Sequence, residues 1–282
     1  MPELPEVETV RRGLAPVMEG ARFVEVVANR GDLRWPLPKD FVQRLKGQTV
    51  SGLGRRAKYL LADLSSGDVL VMHLGMSGSF RVEQDSGMVT PGAYYHDRSN
   101  DLAHDHVVFR MSSGVSVTFN DPRRFGVMDL VPRGQLAQYP ALDAMGPEPL
   151  GPDFHGAALA RACAGKRTPL KLALLDQQVV AGLGNIYASE ALHRAGLSPR
   201  RRASTLATPS GAPRPSALRL AAAIKEVLQE AIEWKAMPSY RASRFRVYDR
   251  EGERCRTTRC GGTIRRLRQA GRSTFYCPDC QR

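Results

Sequence analysis

Four cysteines near the end of the chain constrain its fold more than any other feature. Cys255-x4-Cys260 and Cys277-x2-Cys280 form two close pairs separated by sixteen residues. Two such pairs in a reducing compartment match a structural zinc site, in which four thiolates close a tetrahedron around one ion. A segment this small cannot bury an adequate core of its own, so metal binding would supply its folding free energy. Disulfides are the alternative, but they belong to oxidising compartments, and the chain shows nothing resembling a secretion signal. The fifth cysteine, Cys163, stands alone and reads as a small buried apolar residue with no assigned role.

Charge points to the partner. The 282 residues carry a formal net charge of +13, which suits a polyanion. Residues 241–282 hold twelve Arg against four Asp or Glu. Arg265, Arg266, Arg268 and Arg272 lie between the cysteine pairs, so the expected β-hairpin should aim cations at nucleic acid. No apolar run approaches the ~20 residues of a membrane span, and the chain reads as cytoplasmic.

The opening, Met1-Pro2-Glu3-Leu4-Pro5-Glu6, has two readings. Proline and acids favour a helix N-terminus, and Leu4, Val7, Val10 and Leu14 recur at helical spacing, which predicts a helix from Pro5 to about Glu19. Removal of Met1 would also leave Pro2 as a free secondary amine, whose class has a reference pKa of about 8. Such an amine can attack an electrophilic sugar carbon. Glu3 lies beside it and Glu6 one turn away.

Short strand-like segments follow at Arg22 to Ala28, Thr49 to Leu53, Lys58 to Leu64, Asp68 to Leu74, His106 to Met111 and Val115 to Asn120, which predicts an antiparallel sandwich or barrel. Lys58 reads as a second amine or a phosphate contact, against a solvated strand edge. Met76, in the glycine-bounded Gly75-Met76-Ser77-Gly78, reads as core filler or as a soft wedge. Glu83 to Asp101 looks like a loop. His104-Asp105-His106 resembles a metal pair only weakly; a strand-entry or phosphate-contact histidine is the better reading. Asp121-Pro122-Arg123-Arg124-Phe125-Gly126 sets guanidiniums beside an aromatic ring on a turn, which suits insertion into a base stack, unless Phe125 packs inward.

Val131 to Pro152, rich in Pro and Gly, reads as a connection. Beyond it Thr168-Pro169 should start a helix after Lys166-Arg167. The Gly182-Leu183-Gly184-Asn185 turn, with Asn185 as a helix cap, should expose N–H groups able to hold a phosphate. Arg200 to Pro215 reads as a flexible linker, and Ser216 as the cap of a helix reaching about Trp234.

Taken together, these motifs resemble the formamidopyrimidine-DNA glycosylase family, bacterial base-excision enzymes for oxidised purines. The resemblance runs from Pro2-Glu3-Leu4-Pro5-Glu6 through Arg55-Arg56-Ala57-Lys58, His73-Leu74-Gly75-Met76, Asp121-Pro122-Arg123-Arg124-Phe125 and Gly184-Asn185-Ile186-Tyr187 to Gly271-Arg272-Ser273-Thr274-Phe275-Tyr276-Cys277. It implies an α+β multidomain fold: an N-terminal helix with an antiparallel β-sandwich over 1–134, a helix-two-turn-helix domain over 135–240, and a zinc-finger β-hairpin over 241–282. It implies Pro2 as nucleophile at C1′, Glu3 as proton donor to the opening sugar ring, and Glu6 as support. Lys58 would serve β-elimination and Arg272 δ-elimination. Met76, Arg123 and Phe125 would fill the void left by the flipped nucleotide, while His73, His104, Lys166 or Arg167, Asn185 and Arg272 would contact phosphate. The implied partner is duplex DNA carrying oxidised bases or abasic sites, bound by a nucleoid-associated monomer. The implied cofactor is one zinc ion on Cys255, Cys260, Cys277 and Cys280.

The chain departs from the family pattern twice. Its first cysteine pair encloses four residues where two are usual, and Lys235 to Arg246 is short for the family's lesion-covering loop. An endonuclease VIII-like enzyme for oxidised pyrimidines is the related alternative, although Pro-Glu-Leu rather than Pro-Glu-Gly opens the chain. A non-catalytic zinc protein that senses distorted duplex is the alternative of another class.

Overall fold

The computed structural model describes residues 2–85, 87–92, 101–235 and 245–282. The chain divides into two compact units. The first holds the described residues as far as Asp143. The second holds Ala144–Trp234 together with the C-terminal segment.

The first unit is a sandwich opened by a helix. Helix α1 (Leu4–Met18) begins with proline inside its first turn and a reciprocal capping box between Glu3 and Glu6, which satisfies amides that a helix start otherwise leaves unpaired. Val7, Val10, Leu14 and Met18 bury one stripe of it in the main core. Strand β1 (Phe23–Ala28) and the short helix α2 (Phe41–Leu45) follow. Next come β2 (Val50–Arg56), β3 (Tyr59–Leu64) and β4 (Asp68–His73). The unit is completed by β5 (Ser79–Gln84), β6 (Gly87–Val89), β7 (Asp105–Met111), β8 (Ser116–Asn120) and β9 (Val127–Pro132), with α3 (Pro140–Asp143) after them.

The strands form two antiparallel sheets, ordered β2-β3-β4-β9 and β1-β7-β8-β5-β6. Alternation in β3 places Leu60, Ala62 and Leu64 on the buried face, as a half-buried strand requires. Strand β4 is buried on both faces because a second cluster, Val69, Val71 and Val131 with Tyr59 and Tyr139, covers its far side. A Glu8 carboxylate shared by Arg11, Arg12 and Arg55 ties α1 to the end of β2, with Arg55 Nε 3.1 Å from Oε2.

Some expectations need correction. The presumed loop after Glu83 begins inside β5 and includes β6, and the connection predicted from Val131 begins inside β9. Arg81, buried in β5, explains why that strand reads as polar: its guanidinium forms a bidentate pair with Asp105 at 3.1 and 2.6 Å and also reaches Glu83.

In the second unit, α4 (Gly156–Cys163), α5 (Leu170–Leu175), α6 (Asn185–Arg194) and α7 (Pro215–Lys235) precede a two-stranded ribbon, β10 (Arg265–Gln269) with β11 (Arg272–Tyr276). The predicted linker from Arg200 to Pro215 is instead folded onto α5. Leu170 N–H donates to Arg201 O at 2.7 Å, Ala203 N–H donates to Thr168 O at 2.9 Å, and Ala203 and Leu206 are fully buried. Backbone pairing holds a segment that offers the core one large apolar side chain, Leu206. Among the described residues no helix is long and apolar enough to cross a membrane.

Candidate active site and nucleic-acid interface

The start of α1 buries acids that ordinary surface helices expose. Pro2 is buried, Glu3 is 2% exposed, and Glu6 is also buried. Glu3 N–H donates to Glu6 Oε2 at 2.8 Å, so Glu6 fixes the backbone that carries Glu3. Buried carboxylates are costly unless paired or functional.

Lys58 occupies the two-residue turn between β2 and β3, where Arg56 pairs with Tyr59. Turn lysines normally project into water, yet this one is only 7% exposed. Ala57 before it adopts a left-handed φ of 53°, unusual for a residue with a Cβ. The Arg55 guanidinium steadies the turn by donating to Ala57 O at 2.9 Å.

His73 closes β4 across from Tyr59, their ring centroids 4.6 Å apart. Gly75 N–H donates to its Nδ1 at 3.0 Å, so in the neutral ring the proton sits on Nε2. Burial first, then Lys58 and Arg34, push its pKa down to about 4. His73 is therefore a neutral N–H donor near pH 7.

Two turns of this unit present apolar side chains outward. Met76 and Phe125 are each 41% exposed, and the Arg123 guanidinium lies over the Phe125 ring at 4.9 Å from its centroid. Phe125 thus does not pack inward. Asp121 organises the pair of turns, accepting from Ser77 Oγ at 2.5 Å and from Gly126 N–H at 2.7 Å, while Arg123 N–H donates to Ser77 Oγ at 3.2 Å. Gly75 permits the approach: with φ +60°, a Cβ there would fall 2.3 Å from the Phe125 carbonyl carbon.

The His-x-His reading dissolves. His106 Nε2 is hydrogen-bonded to Asp121 O at 2.8 Å in the buried interior, and Asp105 is taken by Arg81 and Asn120. His104 ends a 3₁₀ turn, its Nε2 3.8 Å from Asp101 Oδ2.

In the second unit Asn185 is the first residue of α6, and Gly184 is the cap. The cap expectation is therefore corrected. The Asn185 side chain instead accepts from Lys171 Nζ at 2.6 Å and donates to Ser273 O at 3.0 Å. Lys171, which sequence reasoning passed over, is fully buried and also donates to Ser273 O and Thr274 Oγ1 at 3.0 and 2.7 Å. It fastens α5 and the start of α6 to β11. The nearby Lys166 Nζ lies 3.8 Å from Asp176, and Arg167 is exposed. Arg265, Arg266, Arg268 and Arg272 are all exposed on the ribbon.

Glu190 is a second polar residue that the sequence did not reveal. Its buried carboxylate accepts from the N–H groups of Arg246, Val247 and Tyr248 at 2.8–2.9 Å. Nothing in Asn185-Ile186-Tyr187-Ala188-Ser189-Glu190 marks it as inward-facing.

The four cysteine sulfurs lie within 4.8 Å of one another. Cys255 and Cys280 are 3.7 Å apart, and Cys260 and Cys277 are 3.5 Å apart. Thiolates about 2.3 Å from a tetrahedral zinc have sulfurs about 3.8 Å apart, so the cluster fits the ion and is too open for disulfides. The x4 spacing is accommodated, with Arg259 turning through a φ of 63°. Cys163 is buried, and burial pushes its thiol up to about 11, in keeping with an inert apolar role.

The N-terminal domain description of formamidopyrimidine-DNA glycosylase matches residues 1–128, its H2TH domain matches 145–241, and the zinc finger found in FPG and IleRS matches 252–282. The chain belongs to the formamidopyrimidine-DNA glycosylase family. A formamidopyrimidine-DNA glycosylase of Bradyrhizobium sp. (strain BTAi1) is 61% identical over 293 residues, covering all of both chains. Among solved structures, the Lactococcus lactis formamidopyrimidine-DNA glycosylase bound non-covalently to DNA containing an abasic site superposes with a TM-score of 0.83 at 31% identity over all of both chains. A variant of that glycosylase in complex with Fapy-dG DNA gives 0.82 at 31%, again over the full length of both. The α+β architecture and the single structural zinc of formamidopyrimidine-DNA glycosylases are thus those of this chain. The short 235–246 segment expected to depart from the family lies largely outside the described residues.

Proposed function

We propose that the chain is a bifunctional DNA glycosylase and abasic-site lyase for oxidised purines, with Pro2 as its nucleophile. The observation that carries this reading is the buried start of α1, where Pro2, Glu3 and Glu6 are withdrawn from solvent together. Once Met1 is removed, the Pro2 lone pair attacks C1′ of the damaged nucleotide, and the bond from C1′ to the base breaks with its electron pair leaving on the base, which takes the proton that the Pro2 nitrogen gives up. Glu3 gives a proton to the sugar oxygen as the ring opens, which leaves an iminium on Pro2. Glu6 holds the Glu3 backbone in place. Lys58 serves the β-elimination near the phosphate, and Arg272, at the first residue of β11, serves the δ-elimination.

Flipping a nucleotide costs a few kcal/mol, and less for a lesion. Met76, Arg123 and Phe125 offset that cost by filling the emptied stack. His73 and Asn185 hold phosphates, with His104, Lys166 and Arg167 as further contacts. Residues 1–134 carry the nucleophile and the β-elimination, while 135–240 and 241–282 grip the duplex and the last of these supplies Arg272. The enzyme works as a monomer in the cytoplasm, at the nucleoid.

Borohydride added to the enzyme with an abasic-site duplex should trap a covalent complex, and peptide mapping of that complex should place the new bond on the Pro2 nitrogen. A bond mapped to another amine, or wild-type enzyme that never crosslinks, would overturn the assignment. Intact mass measurement establishes beforehand that Met1 is absent.

A further inference from the structure

His193 lies in the last turn of α6, and nothing in the proposed chemistry uses it. Its side chain is buried against the cysteine cluster. Nε2 is 3.4 Å from Cys255 Sγ, 3.6 Å from Cys280 Sγ and 3.3 Å from Thr257 Oγ1. These are lengths for N–H···S and N–H···O hydrogen bonds. Nε2 is not among the ligand atoms that lie mutually close, so the imidazole sits outside the sulfur tetrahedron, across its Cys255–Cys280 edge.

The tautomer follows from the surroundings. His193 Nδ1 is buried with no hydrogen-bond partner among the described residues. A proton on Nδ1 would bury an unpaired N–H and turn the Nε2 lone pair toward two thiolates. A proton on Nε2 gives the donor two sulfur acceptors and leaves only an unpaired acceptor behind, which is the smaller penalty.

The same edge borders a cleft of about 380 Å³, lined by His193, Thr257, Cys280 and Arg246. Thr257 belongs to the four-residue stretch that makes the first knuckle two residues longer than the second, and its N–H donates to Cys255 Sγ at 3.5 Å. The longer knuckle and the histidine therefore meet at one place.

We propose that His193 is a positioning residue for the structural zinc, donating Nε2–H to the Cys255 and Cys280 thiolates and, with Thr257, closing the cleft-facing edge of a site widened by the longer first knuckle. The inference rests on the zinc reading and not on the glycosylase chemistry. Hydrogen bonds to metal-bound thiolates disperse their charge and hold their orientation, and loss of such outer partners commonly weakens metal binding 10- to 100-fold.

The test is zinc transfer from the full-length, zinc-loaded protein to the chelating dye 4-(2-pyridylazo)resorcinol. His193→Phe should release zinc about tenfold or more faster, while His193→Gln, which keeps an N–H donor at similar reach, should stay within about threefold of wild type. An unchanged rate in His193→Phe would overturn the proposal, and so would equal acceleration in both variants, since packing alone would then explain it. Two readouts on unaltered His193 avoid dependence on variant folding. The ¹⁵N spectrum of the zinc-loaded wild type should show Nε2 protonated, and the opposite tautomer contradicts the donor role. The cobalt-substituted wild type should show four-thiolate charge transfer, whereas a spectrum with a nitrogen ligand would make His193 a ligand and sink the outer placement.

Discussion

At the scale of single residues, His73 and Lys171 show how burial creates specific chemistry. His73 titrates near 4 when folded, below its ordinary value of 6.5. Its contribution to stability is therefore fully present above about pH 6.5 and is lost as pH falls toward 4, because the unfolded chain takes up the proton first. The difference in unfolding free energy between wild type and His73→Gln should accordingly shrink across that window. NMR of the folded protein should show no His73 titration above about pH 5, and a midpoint near 6.5 would contradict the burial argument. Lys171→Met tests the other residue. It removes one ammonium from three acceptors and should cost on the order of 2–3 kcal/mol in urea unfolding with an unchanged slope. A loss below about 0.5 kcal/mol would mean that those acceptors repair themselves with water.

At the scale of elements, the paired turns around Met76 and Phe125 depend on Gly75. Gly75→Ala meets both a left-handed backbone and the Phe125 carbonyl, a combination that should cost about 1–3 kcal/mol. Its signature is functional as well: excision at a lesion should fall about tenfold while affinity for undamaged duplex holds. Equal losses of both would show a general unfolding rather than a displaced wedge. The sequence made α1 and six strands legible because their side chains alternate or recur with the period of the element. Strand β5 was hidden by Arg81, whose charge is neutralised by Asp105, a partner distant in sequence. The stretch from Arg200 to Pro215 was misread because its order comes from backbone pairing, which composition does not register. Helix α6 shows the same limit. Asn185 stood out in the glycine turn, whereas Glu190 and His193 gain meaning only from what folds against them.

At the scale of the whole molecule, a charge of +13 should make DNA binding steeply dependent on salt. If six to ten phosphates are engaged, affinity should fall about 10³–10⁵-fold between 50 and 200 mM salt. Arg272→Gln should make the slope of log affinity against log salt shallower by about one unit, and a slope near zero in the wild type would remove the polyanion footprint altogether. The charge, the cysteine spacing and the opening proline were each readable from the chain and jointly specific, although each alone admits a plain structural explanation. Glu190 bears on how the start of the C-terminal segment is held. It clamps three successive amides from Arg246 to Tyr248, and the same helix holds α7 through the pairing of Arg194 with Glu230. Both ends of the intervening stretch are thus fastened to α6. A change of length or composition between these two anchors should therefore leave the zinc ribbon unstrained.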